Sequence, residues 1–171
     1  MLLRPFITTG GVVIILILVA IFVAAFIYTR KQRNNYLQEG KIIVRPNQFW
    51  DYAEIFTIAN VTIAALLQHI DIETLRKGGV TVQQQSTSRI AFFHQGYNEK
   101  WNASLDLTNS QNGYNTYKLA LHSYTVKGSS SLTELPVNLM YTAVEKAFLA
   151  FDPNISVTTE YIDRKTHRSL F

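Results

Sequence analysis

The chain contains no cysteine among its 171 residues, and it has only four prolines and eight glycines. The lack of cysteine excludes disulfides, thiolate metal ligands and thiol nucleophiles, and it leaves the redox compartment open. Charge is also scarce, at 16% of residues, with a formal net charge of +4. Nucleic-acid binding needs a denser basic face with interleaved aromatic residues, so we expect no nucleic-acid partner.

Catalytic and metal-binding motifs are missing as well. The sequence has no G-x-S-x-G, no H-E-x-x-H and no glycine-rich phosphate loop followed by a lysine. None of the four histidines has a second ligand at the helical spacing of a zinc pair, although His94 and His122 could meet on neighbouring strands. We therefore predict a protein that is not an enzyme and that holds no metal and no cofactor.

One long hydrophobic run stands out against this background. Residues 12–28 carry no charge, no proline and no strongly polar side chain, and as a helix they would extend about 26 Å. That length approaches the roughly 30 Å hydrocarbon core of a bilayer. We predict a retained transmembrane anchor, because the apolar core of a cleaved signal peptide is normally about 7–15 residues. The predicted lipid-facing residues are Val12, Ile14, Leu16, Leu18, Ile21, Phe22, Phe26 and Tyr28.

Three cations, Arg30, Lys31 and Arg33, follow the run and are expected to contact lipid headgroups. Two features of the sequence disagree about which side of the membrane the C-terminal domain occupies. More Lys and Arg follow the span than precede it, which favours a cytoplasmic or matrix C-terminal domain. The richness of the domain in Ser, Thr, Asn, Gln and Tyr is typical of exported domains. We predict the extracytoplasmic side and keep the cytoplasmic or matrix side open.

The residues after the anchor suit one compact domain. We divide the chain into residues 1–33, which hold the N-terminal tail, the transmembrane helix and its basic flank, residues 34–40, which form a linker or a continuation of the anchor helix, and residues 41–171, which form the globular domain.

The stretch 48–69 follows a short strand candidate at 41–45 and is apolar in nearly every direction around a helix axis. A helix that is hydrophobic all round is either buried or in lipid. We predict a central buried helix rather than a second membrane span, because Asp51, Glu54 and Asn60 would be costly in hydrocarbon.

Alternating and helical patterns fill the rest of the domain. In the third strand candidate, for example, one face carries Trp101, Ala103, Leu105 and Leu107, and the other carries Asn102, Ser104, Asp106 and Thr108. The predicted fold is α+β, with one N-terminal transmembrane helix followed by a domain whose mainly antiparallel, curved sheet packs around a buried helix. The further elements are a helix at 70–77, strands at 80–86, 89–95, 100–108 and 116–127, a helix at 133–151 and a strand at 155–163.

Asp51, Glu54 and Trp101 are the residues that we predict to line a pocket, if the domain has one. The two acids would lie three apart on the predicted central helix and could act as an acid–base pair or bind a cation. Acids in a first helical turn more often complement the helix dipole. A lipid or small-ligand cavity is an alternative, with the candidate lining residues Phe92, Phe93, Trp101, Tyr117 and Tyr124.

The predicted function is that of a non-catalytic, single-pass membrane-anchored accessory or scaffold subunit. It would dock partner proteins in a larger membrane complex, such as secretion, assembly or respiratory machinery, through edge strands at 155–163 and 42–44. The expected partners are membrane lipid and other membrane proteins, and the small residues Ala20 and Ala24 favour a homo-oligomer through the anchor. The alternatives are a membrane-anchored lipid or small-ligand binding domain and an enzyme that uses Asp51 or Glu54.

Overall fold

A computed structural model describes residues 9–128, 131–163 and 167–169, and the chain separates into two compact units, Met1–Gly40 and Lys41–Phe171. The helices are α1 (Thr9–Gln38), α2 (Ile63–His69), α3 (Ile72–Lys77) and α4 (Glu134–Leu149). The strands are β1 (Tyr52–Ala59), β2 (Val80–Ser86), β3 (Arg89–Gln95), β4 (Glu99–Gln111), β5 (Tyr114–Lys127), β6 (Val157–Tyr161) and β7 (His167–Ser169). A 3₁₀ turn, Phe49–Asp51, precedes β1.

Helix α1 is long and apolar enough to cross a membrane. Within Gly11–Gln38 it has a stretch of mean hydropathy 3.1, none of which is buried. The predicted lipid-facing residues from Val12 to Tyr28 are all exposed, and Arg30, Lys31 and Arg33 follow them on the same helix. The helix continues through residues 34–38, so this part of the predicted linker is helical. The predicted tail, residues 1–8, lies outside the described residues.

The domain is built on a curved, unclosed antiparallel sheet, which confirms the predicted α+β class. Six strands follow the order β2-β3-β4-β5-β1-β6, so β2 and β6 are its two edges. Strand β7 pairs in parallel with the end of β5, at Thr125–Lys127. Because β1 lies between β5 and β6, the first strand of the domain is an interior strand of the sheet, next to the edge strand β6.

Helix α4 is the buried helix on which the sheet packs. Its residues Val137, Met140, Tyr141, Val144 and Phe148 have essentially no exposed surface. The ring of Phe148 stacks on Phe56 of β1 at 4.2 Å between centroids and lies 5.5 Å from Tyr117 of β5. Burying such side chains stabilises a fold by about 1.5–3 kcal/mol each, so this contact is a main source of stability.

The helix predicted over 48–69 is wrong. This stretch forms the 3₁₀ turn, strand β1 and the short helix α2, with Asn60 at φ 45° between strand and helix. Strand β1 carries apolar residues on both faces, Phe56 and Ile58 on one and Ala53 and Ile55 on the other, and periodicity alone does not separate such a strand from a buried helix. Thr62 then begins α2, because its Oγ1 accepts a hydrogen bond from Ala65 N at 3.2 Å.

The strand predicted over 41–45 is also absent, although Ile42 is buried. The strands predicted at 80–86 and 89–95 are confirmed with those bounds. The next two predicted strands are longer in the structure, at 99–111 and 114–127, and they meet at a tight turn.

Candidate functional site

Strand β6 forms an open edge of the sheet. It pairs with β1 on one side, and in the described part of the chain no strand pairs with its other side. Just beyond the strand, Ile162 donates its backbone N–H to Asp51 O at 2.8 Å. Because hydrogen bonding alternates along an antiparallel strand, the even-numbered residues of β6 bond towards β1 and the odd-numbered residues face the open side. These open residues are Val157, Thr159 and Tyr161.

The sequence of β6, VTTEY, lacks the features that usually keep an edge strand from pairing. Such features are prolines, lysines, bulges and inward-pointing charges. Within β6 the single charged residue is Glu160, and its carboxylate bonds to Lys118 Nζ of β5 at 2.8 Å. All five residues are exposed. The opposite edge, β2, has a bulge between Gln84 and Ser86. Strand β6 is therefore the edge that is more open to a further strand.

An apolar groove of about 290 Å³ lies beside β6. Ile43, Leu149 and Val157 on its walls keep 43%, 45% and 40% of their surface exposed. A strand added to β6 would place alternate side chains on the face that Val157 occupies, next to this groove. The residues that line the groove are Ile43, Phe56, Thr142, Glu145, Lys146, Leu149, Ile155 and Val157.

Arg45 forms a buried ion cluster next to the groove. Its Nη1 lies 2.9 Å from Glu54 Oε1 on β1, and its Nη2 lies 2.5 Å from Glu145 Oε2 on α4. Its guanidinium carbon lies 5.1 Å from the ring centroid of Phe49 and 5.4 Å from that of Tyr141. Only 7% of the Arg45 side chain is exposed. The cluster therefore fastens the segment before β1 to both the sheet and α4.

Asn138 of α4 fastens the same segment through its side-chain amide. Its Nδ2 donates to Ile43 O at 2.8 Å, and its Oδ1 accepts from Ile43 N at 3.4 Å and from Arg45 Nε at 3.2 Å. Asn138 is fully buried. An amide side chain thus replaces a neighbouring strand as the partner of Ile43, which explains why residues 41–45 are not a strand.

The cluster contains two carboxylates for one guanidinium. Burial is the main cause that raises the pKa of Glu54 to about 8, and Glu145 raises it further, whereas Arg45 acts in the opposite direction. With Glu54 protonated, Arg45 and Glu145 remain as a matched pair of charges. Because Glu54 is only 6% exposed, this arrangement suits a structural fastening better than an acid–base catalyst.

The helical spacing predicted for Asp51 and Glu54 is wrong, because Asp51 lies in the 3₁₀ turn and Glu54 on β1. Trp101 is buried on β4 and stacks on His94 at 5.4 Å between ring centroids. Trp101 lines a cleft of about 640 Å³ whose lining residues include neither acid. The structure therefore does not bring these three residues to one site, and the pocket stays a prediction.

His94 and His122 are not on neighbouring strands, because β4 lies between β3 and β5. His94 Nδ1 lies 2.9 Å from Gly79 O, and its Nε2 lies 3.3 Å from Glu99 Oε1. The hydrogen bond to Glu99 is the largest cause that raises the pKa of His94. His122 Nε2 instead lies 2.5 Å from Ser104 Oγ. Among the residues described, no group of three or more His, Asp or Glu side chains is placed to hold a metal ion.

Ser104, His122 and Asp106 form a polar cluster whose geometry differs from that of a catalytic triad. In a triad the histidine bridges the serine and the carboxylate through its two ring nitrogens. Here the Ser104 hydroxyl donates to Asp106 Oδ2 and also contacts His122 Nε2, and that same nitrogen is 4.0 Å from Asp106 Oδ2. Ser104 is only 3% exposed, so an external substrate has little access to its hydroxyl.

The five aromatic residues predicted for a ligand cavity divide between the core and the surface. Phe92, Trp101 and Tyr117 are buried, whereas Phe93 and Tyr124 are partly exposed. The Tyr117 hydroxyl donates to the backbone oxygen of Val61, so this ring is held inside the core. Phe92 and Tyr117 therefore act as core residues, whereas Trp101 and Phe93 line the same cleft of about 640 Å³.

Sequence reasoning missed Arg45 and Glu145 of the ion cluster, and it missed Asn138 beside the cluster. Asn138 had a usable signal, because it is a polar residue in the apolar stretch PVNLM of a predicted helix, and buried polar groups require partners. Arg45 and Glu145 had no such signal, because they are 100 residues apart in the sequence and no local pattern predicts a contact over that separation.

No protein-family model, no curated protein and no solved structure matches this chain. The function is therefore inferred from the residues and contacts described above.

Proposed function

We propose that this protein is a non-catalytic, single-pass membrane-anchored subunit that docks partner proteins in a larger membrane complex. Helix α1 would hold the domain at the bilayer, with lipid around its apolar residues. The docking surface would be the open side of β6 together with the apolar groove beside it. The partner would contribute an extended segment that pairs with β6 and places alternate side chains over the groove.

The observation that carries this proposal is the unprotected edge of β6. An open row of N–H and C=O groups is a template for pairing, and proteins normally block it unless it is used. The exposed apolar surface of Ile43, Leu149 and Val157 continues from the edge into the groove. The two features favour a partner that adds a strand over one that contacts side chains only. An added strand can form main-chain hydrogen bonds with β6 and also place its side chains in the groove.

The proposed side of the membrane for the domain is extracytoplasmic. The support is its composition, which is low in charge and rich in Ser, Thr, Asn and Gln. Attachment of a membrane-impermeant reagent to a single introduced cysteine in intact cells tests this side. Labelling only after the membrane is permeabilised would place the domain on the cytoplasmic or matrix side instead.

The experiment that tests docking is purification of the full-length protein from its native membrane in mild detergent, with mass spectrometry of what accompanies it. We expect a stoichiometric set of membrane proteins. A single copy of the protein, alone or with lipid only, would contradict the docking proposal and favour the lipid-carrier alternative.

Two variants at Thr159 make this experiment specific for the edge. Thr159→Pro removes a backbone N–H that faces the open side and leaves the hydrogen bonds to β1 in place, so we expect the accompanying proteins to be lost. Thr159→Val keeps the N–H and is the matched control, with which we expect them to be retained. Equal recovery of partners with both variants would overturn the role of the β6 edge.

A further inference from the structure

We propose that the strand which pairs with β6 is β6 of a second copy of this chain, so that two sheets join into one across a two-fold axis. This inference rests on the proposed docking role of the edge and names its partner. The argument comes from the register in which two VTTEY strands can pair, because a two-fold antiparallel pairing makes each residue meet a defined residue of the other copy.

An axis through Thr159 uses all the open backbone groups of β6. It places Thr159 opposite Thr159 and Val157 opposite Tyr161 of the other copy. These three positions are the ones whose N–H and C=O groups face the open side, so each pair forms the closely spaced, hydrogen-bonded kind of antiparallel contact. The pairing is closed by symmetry and leaves no new edge of β6 for a third copy.

Side chains on both faces of the strand favour this register. On the groove face, Tyr161, which is 64% exposed, lies opposite Val157 and next to the apolar groove of the other copy. Aromatic and β-branched side chains stabilise each other across antiparallel strands. On the other face, Thr158 lies opposite Glu160, so no like charges meet.

The neighbouring registers are less favourable. An axis through residue 160 would place Glu160 directly opposite Glu160, and like charges in that position repel. An axis through residue 158 would use only two of the three open positions of each strand. The register through Thr159 therefore makes the most hydrogen bonds without a charge clash.

The absence of cysteine from the chain makes a direct test of this register possible. With the axis through Thr159, the two Cα atoms of a Thr159→Cys pair would be about 5.5 Å apart, within the usual range for a disulfide. The two Cα atoms of a Thr158→Cys pair would be about 8 Å apart, because they are offset by two residues along the strands, and this exceeds disulfide reach. Thr158 is the same residue type and is also exposed, so it is the matched control.

The experiment is mild oxidation of each full-length single-cysteine variant in its native membrane, followed by non-reducing electrophoresis. We expect Thr159→Cys to give a disulfide-linked dimer of twice the 19.5 kDa chain mass. We expect Thr158→Cys to give no such dimer. Dimers that form through α1 alone would not distinguish the two variants, so equal yields would overturn the proposal. An absent dimer would overturn it as well.

A second measurement separates failure of self-pairing from failure of docking at this edge. Thr159→Cys is labelled with a benzophenone that cross-links any nearby protein on illumination. If the disulfide dimer is absent and the benzophenone captures a different protein, self-pairing is wrong and docking at β6 stands. If neither reagent gives an adduct, both are wrong. A benzophenone adduct that contains two copies of this chain agrees with the disulfide result and supports self-pairing.

Discussion

Replacement of Glu54 by glutamine should stabilise the domain at neutral and alkaline pH, although it removes half of an ion pair. The pKa of Glu54 is raised from 4.5 to about 8, chiefly by burial. Below pH 4.5 the carboxyl is protonated in both folded and unfolded chains, so its environment does not change stability. Between pH 4.5 and 8 only the unfolded chain loses the proton, and the free energy of unfolding therefore falls as pH rises. A glutamine keeps the shape of the protonated acid and does not titrate.

The size of this effect follows from the two pKa values. One pKa unit is worth about 1.4 kcal/mol, so the difference between 4.5 and about 8 sets an upper limit of about 5 kcal/mol. We expect Glu54→Gln to raise the free energy of unfolding by about 2–5 kcal/mol at pH 8.5 and to leave it unchanged at pH 4.

The assay is urea unfolding of the full-length protein in mild detergent at a series of pH values. Tryptophan fluorescence reports the domain alone, because Trp50 and Trp101 are the two tryptophans of the chain and neither is in α1. Glu160→Gln is the matched control, since that exposed acid pairs with Lys118 and should change stability by no more than about 1 kcal/mol. If Glu54→Gln were the less stable protein at pH 8.5, an ionised Glu54 would be paired favourably with Arg45, and the reasoning from burial would be refuted.

Three further variants test other contacts by the same urea assay. Asn138→Ala should lower the free energy of unfolding by about 2–4 kcal/mol, because Ile43 N and Ile43 O would both lose the partner that the fully buried Asn138 amide supplies. A loss below 1 kcal/mol would contradict this. His94→Gln should reduce the dependence of the free energy of unfolding on pH above pH 6.5. The wild-type contact with Glu99 raises the pKa of His94, so its contribution is complete below 6.5 and is lost as pH rises through the folded value; an unchanged slope would argue against it. Tyr117→Phe should cost about 1–2 kcal/mol through its lost hydrogen bond, and no cost would show that this bond is unimportant.

The sheet was predictable where local patterns repeat with a period of two between clear turns. In β4, Trp101, Ala103 and Leu105 are 3%, 2% and 0% exposed, as the alternation predicts, whereas Ser104 on the predicted polar face is also only 3% exposed. The β2–β3 bounds agree with the structure because both strands are short and end in turn residues. These features are local, so the sequence reports them directly.

The stretch 48–69 was not predictable by the same reasoning. In β1, Phe56 and Ile58 are buried on one face and Ala53 is buried on the other, so apolar residues appear on both faces of the strand. The same composition fits a buried helix. The deciding fact is that β1 pairs with β5, more than 50 residues later, and that fact depends on tertiary structure.

The β6 edge could be predicted from the sequence, whereas the ion cluster could not. The last strand was predicted as an edge, and β6 is one, because it follows α4 and, in the described part of the chain, pairs with β1 alone. The cluster of Arg45, Glu54 and Glu145 needs three elements to meet, and each of these residues alone resembles an ordinary surface charge. The three residues form a cluster because they are buried together. The wrong helix prediction at 48–69 gave no indication that Glu54 would be buried beside Arg45.

The edge and the cluster meet at β1 but should be separable by mutation. Thr159→Pro removes a hydrogen-bond donor that faces the open side, so no bond of the β1–β6 ladder is lost, and we expect the free energy of unfolding to change by less than about 1 kcal/mol. Glu54→Gln alters the inner side of β1 and leaves the open groups of Val157, Thr159 and Tyr161 in place, so pairing at the edge should persist. A Thr159→Pro variant that unfolds at much lower urea would mean that β6 supports the fold rather than a partner.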